Sequence, residues 1–384
     1  MNYKSLFQLN PEVTFLNFGS FGATPLSLTA DYRKWQDMLE SEPVQFMTVQ
    51  GPKYLEESRK ALGKYIGCHH DDLVYVMNPS YAINIIARSL KLNPGEEILT
   101  TDLEYGAMDK TWNYYSKQNG YVYRRQNISL PLTSKEAFLH EFWKGYNEKT
   151  RVVFISQITS STALIFPVKE ICERAKELGL ITIVDGAHVP GHIDLVLSEL
   201  KADIYTGACH KWMMTPKGCS FLYVKREMQS LFDPLLISWG YQSAMPSHSQ
   251  FLDYHQQQGT RDFSAFLTVP ASIDFMEKHQ WKEVAKSCRK LAQSNIERFC
   301  ELLDTVPLAP IGDEFFGQMC SFQIKTNDPL KLKAMLYDQY RIEIPVMVQG
   351  DKVFIRYSIN AFNDQNDLDL LYRVLKEIIA LKIL

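Results

Sequence analysis

The chain has 384 residues, 46% of them hydrophobic and 22% charged, with a formal net charge of −3. That length exceeds the ~250–300 residues at which single cores tend to split, so at least two domains are expected. With 19 glycines and 17 prolines, the composition excludes a collagen-like or low-complexity chain, and the absence of long single-sign runs gives no sign of a nucleic-acid or polybasic membrane surface. The seven cysteines are scattered, without a Cys-x-x-Cys pair, as expected of reduced thiols. The first residues lack the apolar core of a signal peptide, and no apolar run reaches bilayer length. A cytoplasmic protein with no nucleic-acid or membrane partner is expected.

In chain order, strand-like apolar runs fall at Leu73–Met77, Glu96–Thr101, Tyr121–Gln126, Arg151–Ser156, Leu180–Asp185, Asp203–Thr206 and Cys219–Val224. Amphipathic stretches separate many of them, at Tyr81–Leu90, Ala107–Asn119, Lys135–Tyr146 and Val168–Leu178. Val- and Ile-rich strands alternating with helices predict an α/β unit with a mostly parallel sheet covered on both faces. From Phe232 to Thr260 the chain is rich in Ser, Gln, Tyr, Trp and Pro and shows little periodicity, so a functional loop region is expected there. A long helix is expected over Trp281–Leu303, then a strand (Met319–Lys325), a helix (Pro329–Tyr340), two strands (Ile342–Pro345 and Val353–Ser358) and a closing helix (Asp367–Ala380). This pattern suits a smaller α+β domain. A boundary near residue 275 gives a large domain of 16–275 and a small one of 1–15 with 276–384.

Ligands of open α/β sheets bind beyond the carboxyl ends of the strands, so the residues at those ends carry the functional information. Asp185 ends the run Ile181–Val184, where a carboxylate is costly unless it meets a cation or caps a turn. Lys211 lies in a segment of few charges, between His210 and Trp212-Met213-Met214. Apolar surroundings favour a neutral amine, the form that attacks a carbonyl to give a Schiff base. Cys68-His69-His70, Cys209-His210 and the pair Asp185/His188 lack the spacing of known metal sites; no metal is expected, and His69 and His70 are read as surface residues. Gly19-Ser20-Phe21-Gly22 is read as a turn at the mouth of a site, since it has neither the lysine nor the preceding strand of a phosphate loop.

Val184-Asp-Gly-Ala-His188, Tyr205-Thr-Gly-Ala-Cys-His-Lys-Trp212 and Pro216-Lys-Gly218 resemble the pyridoxal-phosphate (PLP) enzymes of the class V aminotransferase group. Within that group the isopenicillin N epimerase-like branch is the most similar. Leu16–Ala23, Leu103–Gly106, Ser238–Gly240, Gly259–Asp262 and Arg356–Ser358 support the resemblance in the family's order. It implies the fold type I, PLP-dependent transferase-like architecture, with a seven-stranded, mostly parallel sheet in the large domain. It also implies pyridoxal 5'-phosphate held as a Schiff base by Lys211, which later shuttles the substrate's α-proton. Asp185 would pair with the pyridine nitrogen, His188 would lie near the ring's phenolic oxygen, and Tyr105 would stack on the ring. Ser80, the backbone of Tyr81, Thr206 and His210 would take the phosphate, with Gly259 and Thr260 reaching the phosphate of a neighbouring subunit in a homodimer with shared sites. Arg356 would clamp the carboxylate of a small amino-acid-like substrate.

Two positions depart from the branch: Gln157 stands where a histidine is common, and Ala208 where a polar contact is usual. Pro345–Arg356 contains no cysteine, which disfavours a persulfide-forming cysteine desulfurase. The expected activity is therefore aminotransferase or epimerase chemistry at the α-carbon. A PLP-dependent C–S lyase and a non-catalytic binding protein of the same fold are the alternatives; a metal hydrolase is a third.

Overall fold

A computed structural model describes residues 3–381; the outermost residues assigned to the smaller domain, 1–2 and 382–384, lie outside it. Its strands are β1 (Thr14–Phe15), β2 (Leu73–Val76), β3 (Glu97–Thr101), β4 (Val122–Gln126), β5 (Thr150–Ser156), β6 (Ile181–Gly186), β7 (Ile204–Ala208), β8 (Ser220–Val224), β9 (Met319–Ile324), β10 (Ile342–Glu343), β11 (Val346–Gln349) and β12 (Lys352–Ser358). The seven strands expected between residues 73 and 224 form one sheet in the order β2-β8-β7-β6-β5-β3-β4. Only β8 runs against the rest, pairing antiparallel with both β2 and β7.

Strand periodicity of two divides the sheet's side chains between two cores. Tyr75, Leu99, Val153, Ile155, Val184, Tyr205 and Phe221 enter one apolar cluster. Their neighbours Val74, Ile98, Val152, Phe154, Ile183, Ile204 and Leu222 enter another, packed against Ile83, Ile86, Met108 and Trp112 of helices Pro79–Ser89 and Gly106–Asn119. Each fully buried Val, Ile or Phe stabilises this arrangement by about 1.5–3 kcal/mol. Packing on both faces leaves the loops after the parallel strands at one edge, and Thr101, Ser156, Asp185 and Ala208 lie at or beside that edge.

A second sheet, β11-β12-β9, is antiparallel and places Arg356 opposite Ser321. The N-terminal strand β1 pairs with β10, and Asn17 bridges to Ser358.

Several expected elements differ. Helix Lys135–Tyr146 ends at Trp143, where Lys144, Gly145 and Tyr146 make three-residue turns back to Glu141, Phe142 and Trp143. The long helix Trp281–Leu303 is two, Trp281–Gln293 and Ile296–Leu302. Asn295 Nδ2 and Ser294 Oγ both bond the Leu291 carbonyl at the break, and such side chains compete with the helical ladder. The run Ile342–Pro345 is only the two residues of β10, because Pro345 lacks an amide to continue a ladder. The chain re-enters a sheet as β11, which periodicity had not marked. Phe232–Thr260 contains a helix, Gln250–Gln256, capped by Ser249 Oγ on the Leu252 amide. Helices Leu26–Ser41 and Gly51–Ile66, N-terminal to the sheet, had no counterpart in the strand–helix pattern. No described helix is long and apolar enough to cross a membrane.

Candidate active site

Asp185 is the penultimate residue of β6 and is buried at 3% exposure; its Oδ1 accepts the Ala187 amide at 2.9 Å, an Asx turn at the strand's end. Burial pushes its carboxyl pKa up, opposed by that amide and by the Lys211 cation. Lys211 sits in the tight turn after β7, where Met214 N–H donates to the Lys211 carbonyl and Thr215 N–H to that of Cys209. Lys211 is partly exposed and lines the cavity. Desolvation lowers its pKa to about 8, Asp185 resists that shift, and the Arg356 cation adds to it. At pH 7.4 roughly one-fifth of such amines are neutral, against about one in a thousand for an ordinary lysine.

His188 lies 3.3 Å from Lys211 Nζ through Nε2, and Trp212 Nε1 makes a long 3.5 Å approach to its Nδ1. Burial and the nearby cations hold this imidazole well below its usual pKa. His210 is held neutral as well, its pKa lowered to about 4 chiefly by desolvation, while its Nδ1 bonds the Cys219 carbonyl at 2.9 Å.

These groups open on a cavity of about 230 Å³. Of the residues expected at a cofactor site, Ser80, Tyr105, Asp185, His188, His210 and Lys211 line it. Tyr105, half exposed at 48%, stands at its mouth before helix Gly106–Asn119. Arg356 lies beside it: its guanidinium donates to the carbonyl of Ser160, a lining residue. It is 1% exposed, its Nε has no hydrogen-bond partner, and no carboxylate among the described residues pairs with it.

Four expected residues lie elsewhere. The Tyr81 amide is taken by its helix cap, Asn78 Oδ1 at 2.8 Å, and its hydroxyl bonds Gln258 at 3.1 Å. Thr206 Oγ1 is spent on the Phe221 carbonyl at 2.8 Å. Gly259 and Thr260 are exposed and do not line this chain's cavity. The two departures are structural: Gln157 Oε1 accepts the Tyr205 hydroxyl at 2.8 Å, and Ala208 is wholly buried.

Residues not singled out as site groups also line the cavity. Ser156 ends β5, Ile158 and Ser160 belong to the polar stretch after it, and Met108 lies one helical turn beyond Tyr105. Ser20 and Phe21 come from the Gly19–Gly22 stretch read as a turn at the mouth; Phe18–Phe21 is a short helical turn, and Phe21 is 69% exposed. Glu104 is fully buried behind the cavity, accepting bonds from Thr101 Oγ1 at 2.8 Å and the Ser156 amide at 2.9 Å. Burial without a cation pushes its pKa up to about 8. Its signal in the sequence was adjacency to Tyr105, with nothing to foretell its burial.

His69, His70 and Asp71 place donor atoms within 4.8 Å of one another, away from the cavity. Arg226 contacts His69 Nδ1 at 3.1 Å and Arg59 lies 3.5 Å from Asp71, so two guanidiniums oppose a cation there.

A desolvated lysine of lowered pKa, a buried carboxylate at a neighbouring strand end, and a helix start beyond a parallel sheet define a fold type I PLP site. The residues fit that cofactor: Asp185 and Lys211 face the cavity and attract each other without a salt bridge, and Arg356 has no salt-bridge partner among the described residues. The sequence matches the family Aminotransferase class-V over residues 28–371, and the chain belongs to that family. Its cofactor is pyridoxal 5'-phosphate. It is 31% identical over 390 residues to isopenicillin N epimerase of Amycolatopsis lactamdurans, covering 98% of both chains. It is also similar to a probable chloroplastic L-cysteine desulfhydrase of Arabidopsis thaliana, at 25% identity over 93% of this chain and 81% of that one. Among solved structures, a cysteine desulfurase of Thermococcus onnurineus superposes with a TM-score of 0.84 at 20% identity, over 99% of this chain and 97% of the other.

Proposed function

We propose that the protein is a PLP-dependent enzyme acting at the α-carbon of a small amino-acid-like substrate, as an epimerase or aminotransferase. The observation that carries this reading is the meeting of Lys211 and Asp185 at one cavity with Arg356 held beside it on the carbonyl of Ser160, two of them cations weakened by burial and one a buried carboxylate. When bound, the cofactor supplies an electron sink for the pair left on the α-carbon as a bond there breaks. Lys211 would hold the cofactor and would serve as the base that takes the α-proton. Its low pKa suits that role, since a general base works best with a pKa near the working pH. Asp185 keeps a proton on the ring nitrogen. Neutral His188 would lie beside the amine and the cofactor ring, and Arg356 would fix the substrate's carboxylate through paired N–H donors.

Ser80 and His210 serve the phosphate from within the chain, and Gly259 and Thr260 serve that of the neighbouring subunit. Their exposure, beside the exposed Leu236, Ile237 and Trp239, supports a homodimer with shared sites. The same reading takes residues 16–275 as the cofactor domain, 1–15 with 276–384 as the closing domain, and a cytoplasmic location. A C–S lyase is the second reading, supported by the likeness to the Arabidopsis protein. A cysteine desulfurase is disfavoured because Pro345–Arg356 offers no thiol.

The test is direct. Purified protein should take up pyridoxal phosphate with visible absorbance that borohydride abolishes, and Lys211→Ala should lose that reducible band. With a panel of amino acids in heavy water, α-proton exchange with racemisation marks an epimerase, and keto-acid-dependent product an aminotransferase. Release of ammonia with a sulfur fragment marks a lyase. A protein that cannot bind the cofactor, or that never exchanges an α-proton, sinks the leading reading.

A further inference from the structure

We propose that Gln349 is a positioning residue that latches the β11–β12 hairpin onto the two loops forming the far wall of the cavity; the inference rests on the reading above. Gln349 ends β11 opposite Lys352, beside a tip whose Gly350 has φ +61°. Its carboxamide leaves its own sheet altogether. Nε2 donates to the carbonyl of Asp102 at 2.7 Å and more weakly to that of Glu104 at 3.3 Å. Oε1 accepts from Ser161 Oγ at 3.0 Å. Two carbonyls at one end and a hydroxyl at the other fix which way the amide points.

Both contacted loops bear on the site. The Asp102–Glu104 segment leads directly into Tyr105, at the cavity mouth. Ser161 follows Ser160, whose carbonyl holds Arg356, and the Ser161 carbonyl itself accepts from Ser321 of β9. One side chain therefore ties Tyr105, Arg356 and the β9–β12 sheet into a single hydrogen-bonded unit across partners 188 to 247 residues apart. The rest of the hairpin faces solvent, as the 61% exposure of Val348 shows, so little else on it could replace Gln349. Without Gln349 the hairpin would keep its ladder to β12 but lose its hold on the Tyr105 loop. Lys211, Asp185 and Ser80 belong to the other sheet and its helices, so the cofactor would keep its lysine, ring-nitrogen and phosphate anchors without the latch, and only Tyr105 beside its ring would be loosened.

The chemistry of the amide makes the role testable. Glutamate is nearly isosteric with glutamine but, when ionised, presents only acceptors to two carbonyl oxygens; protonated, it regains one donor. The charged or titratable groups around it are Asp102, Glu104 and Lys352. Asp102 is tied to the Ile128 amide, and the Glu104 carboxyl is turned to Thr101 and Ser156. For Gln349→Ala in the holoenzyme we expect unchanged cofactor absorbance and about tenfold lower kcat/KM for α-proton exchange, mostly through KM, from the loss of two or three hydrogen bonds. Amide hydrogen exchange over residues 101–106 and 158–162 should accelerate about tenfold. Gln349→Glu should be as impaired at pH 8 and recover relative to wild type as pH falls toward 6.

A packing role alone predicts a near-normal Gln349→Glu at every pH. That result, or wild-type amide exchange in Gln349→Ala, would overturn the latch. Failure of the wild type to bind pyridoxal phosphate would instead overturn the functional reading, and the amide exchange of the cofactor-free variant would still decide the latch.

Discussion

Removing Arg356 should separate stability from recognition. The guanidinium is 1% exposed, donates to one carbonyl, leaves Nε unpartnered and has no carboxylate beside it. Desolvation alone lowers its pKa to about 10, so it is still charged at neutral pH. Burying such an ion costs several kcal/mol, offset by about 1.5–3 kcal/mol for a hydrogen bond from a charged donor. Arg356→Met fills similar volume, removes the ion and leaves the Ser160 carbonyl short of a donor at about 1–3 kcal/mol. These terms nearly cancel, so the melting temperature should stay within a few degrees of wild type or rise. Recognition should collapse. Truncating one partner of a buried, hydrogen-bonded charge pair costs about 2–5 kcal/mol, or roughly 30- to 5,000-fold in carboxylate binding. The assay titrates holoenzyme with an amino acid and with the amine lacking its carboxylate, following the cofactor's absorbance. Wild type should prefer the acid by that factor, and the variant should treat the two nearly alike. A variant that keeps the preference, or one that melts far below wild type, would refute the assignment of Arg356 as a poised anion receptor.

Three other outcomes are expected. Lys211, with a folded pKa of about 8 against the ordinary 10.5, releases its proton on folding between those values. Cofactor-free protein should therefore gain stability as pH rises through that window, by on the order of 3 kcal/mol in all; melting curves at pH 7.5 and 9.5 should show about 2 kcal/mol of this rise in wild type and not in Lys211→Met, and equal rises would contradict it. Asp185→Asn keeps the shape and the Ala187 hydrogen bond site but loses the charge. The protein should still take up cofactor, while α-proton exchange falls roughly 100-fold or more, and unchanged exchange would remove Asp185 from the mechanism. Gly22 has φ +66°, and a Cβ there would overlap the carbonyl oxygens of His210 and Lys211. Gly22→Ala should lower stability by at least about 2 kcal/mol and disturb the lysine turn, which calorimetry and cofactor uptake would read together.

What the sequence disclosed divides along the range of the forces involved. The seven-stranded sheet was legible because its apolar runs are local and both faces must be covered. The same logic placed Asp185 and the Lys211 turn at strand ends, where a buried charge has to find a partner. The break at Ser294–Asn295 was not legible, because two side chains competing for the Leu291 carbonyl leave the helical periodicity intact. Nor was β11: its partner β12 was recognisable, but pairing depends on a turn at Gly350 and on Pro345 ending the previous strand. Site residues sort in the same way. Ser80, Tyr105 and His188 lie in or next to recognisable motifs and line the cavity, whereas the Tyr81 amide and Thr206 hydroxyl lost their expected freedom to Asn78 and Phe221. A motif can name a donor, but only the folded neighbourhood decides whether that donor is already engaged. Arg356 is the converse case. Its place in the sequence suggested a carboxylate clamp, and the fold gives it a backbone carbonyl but no paired acid among the described residues, so the charge left uncompensated there is the one a substrate carboxylate would supply.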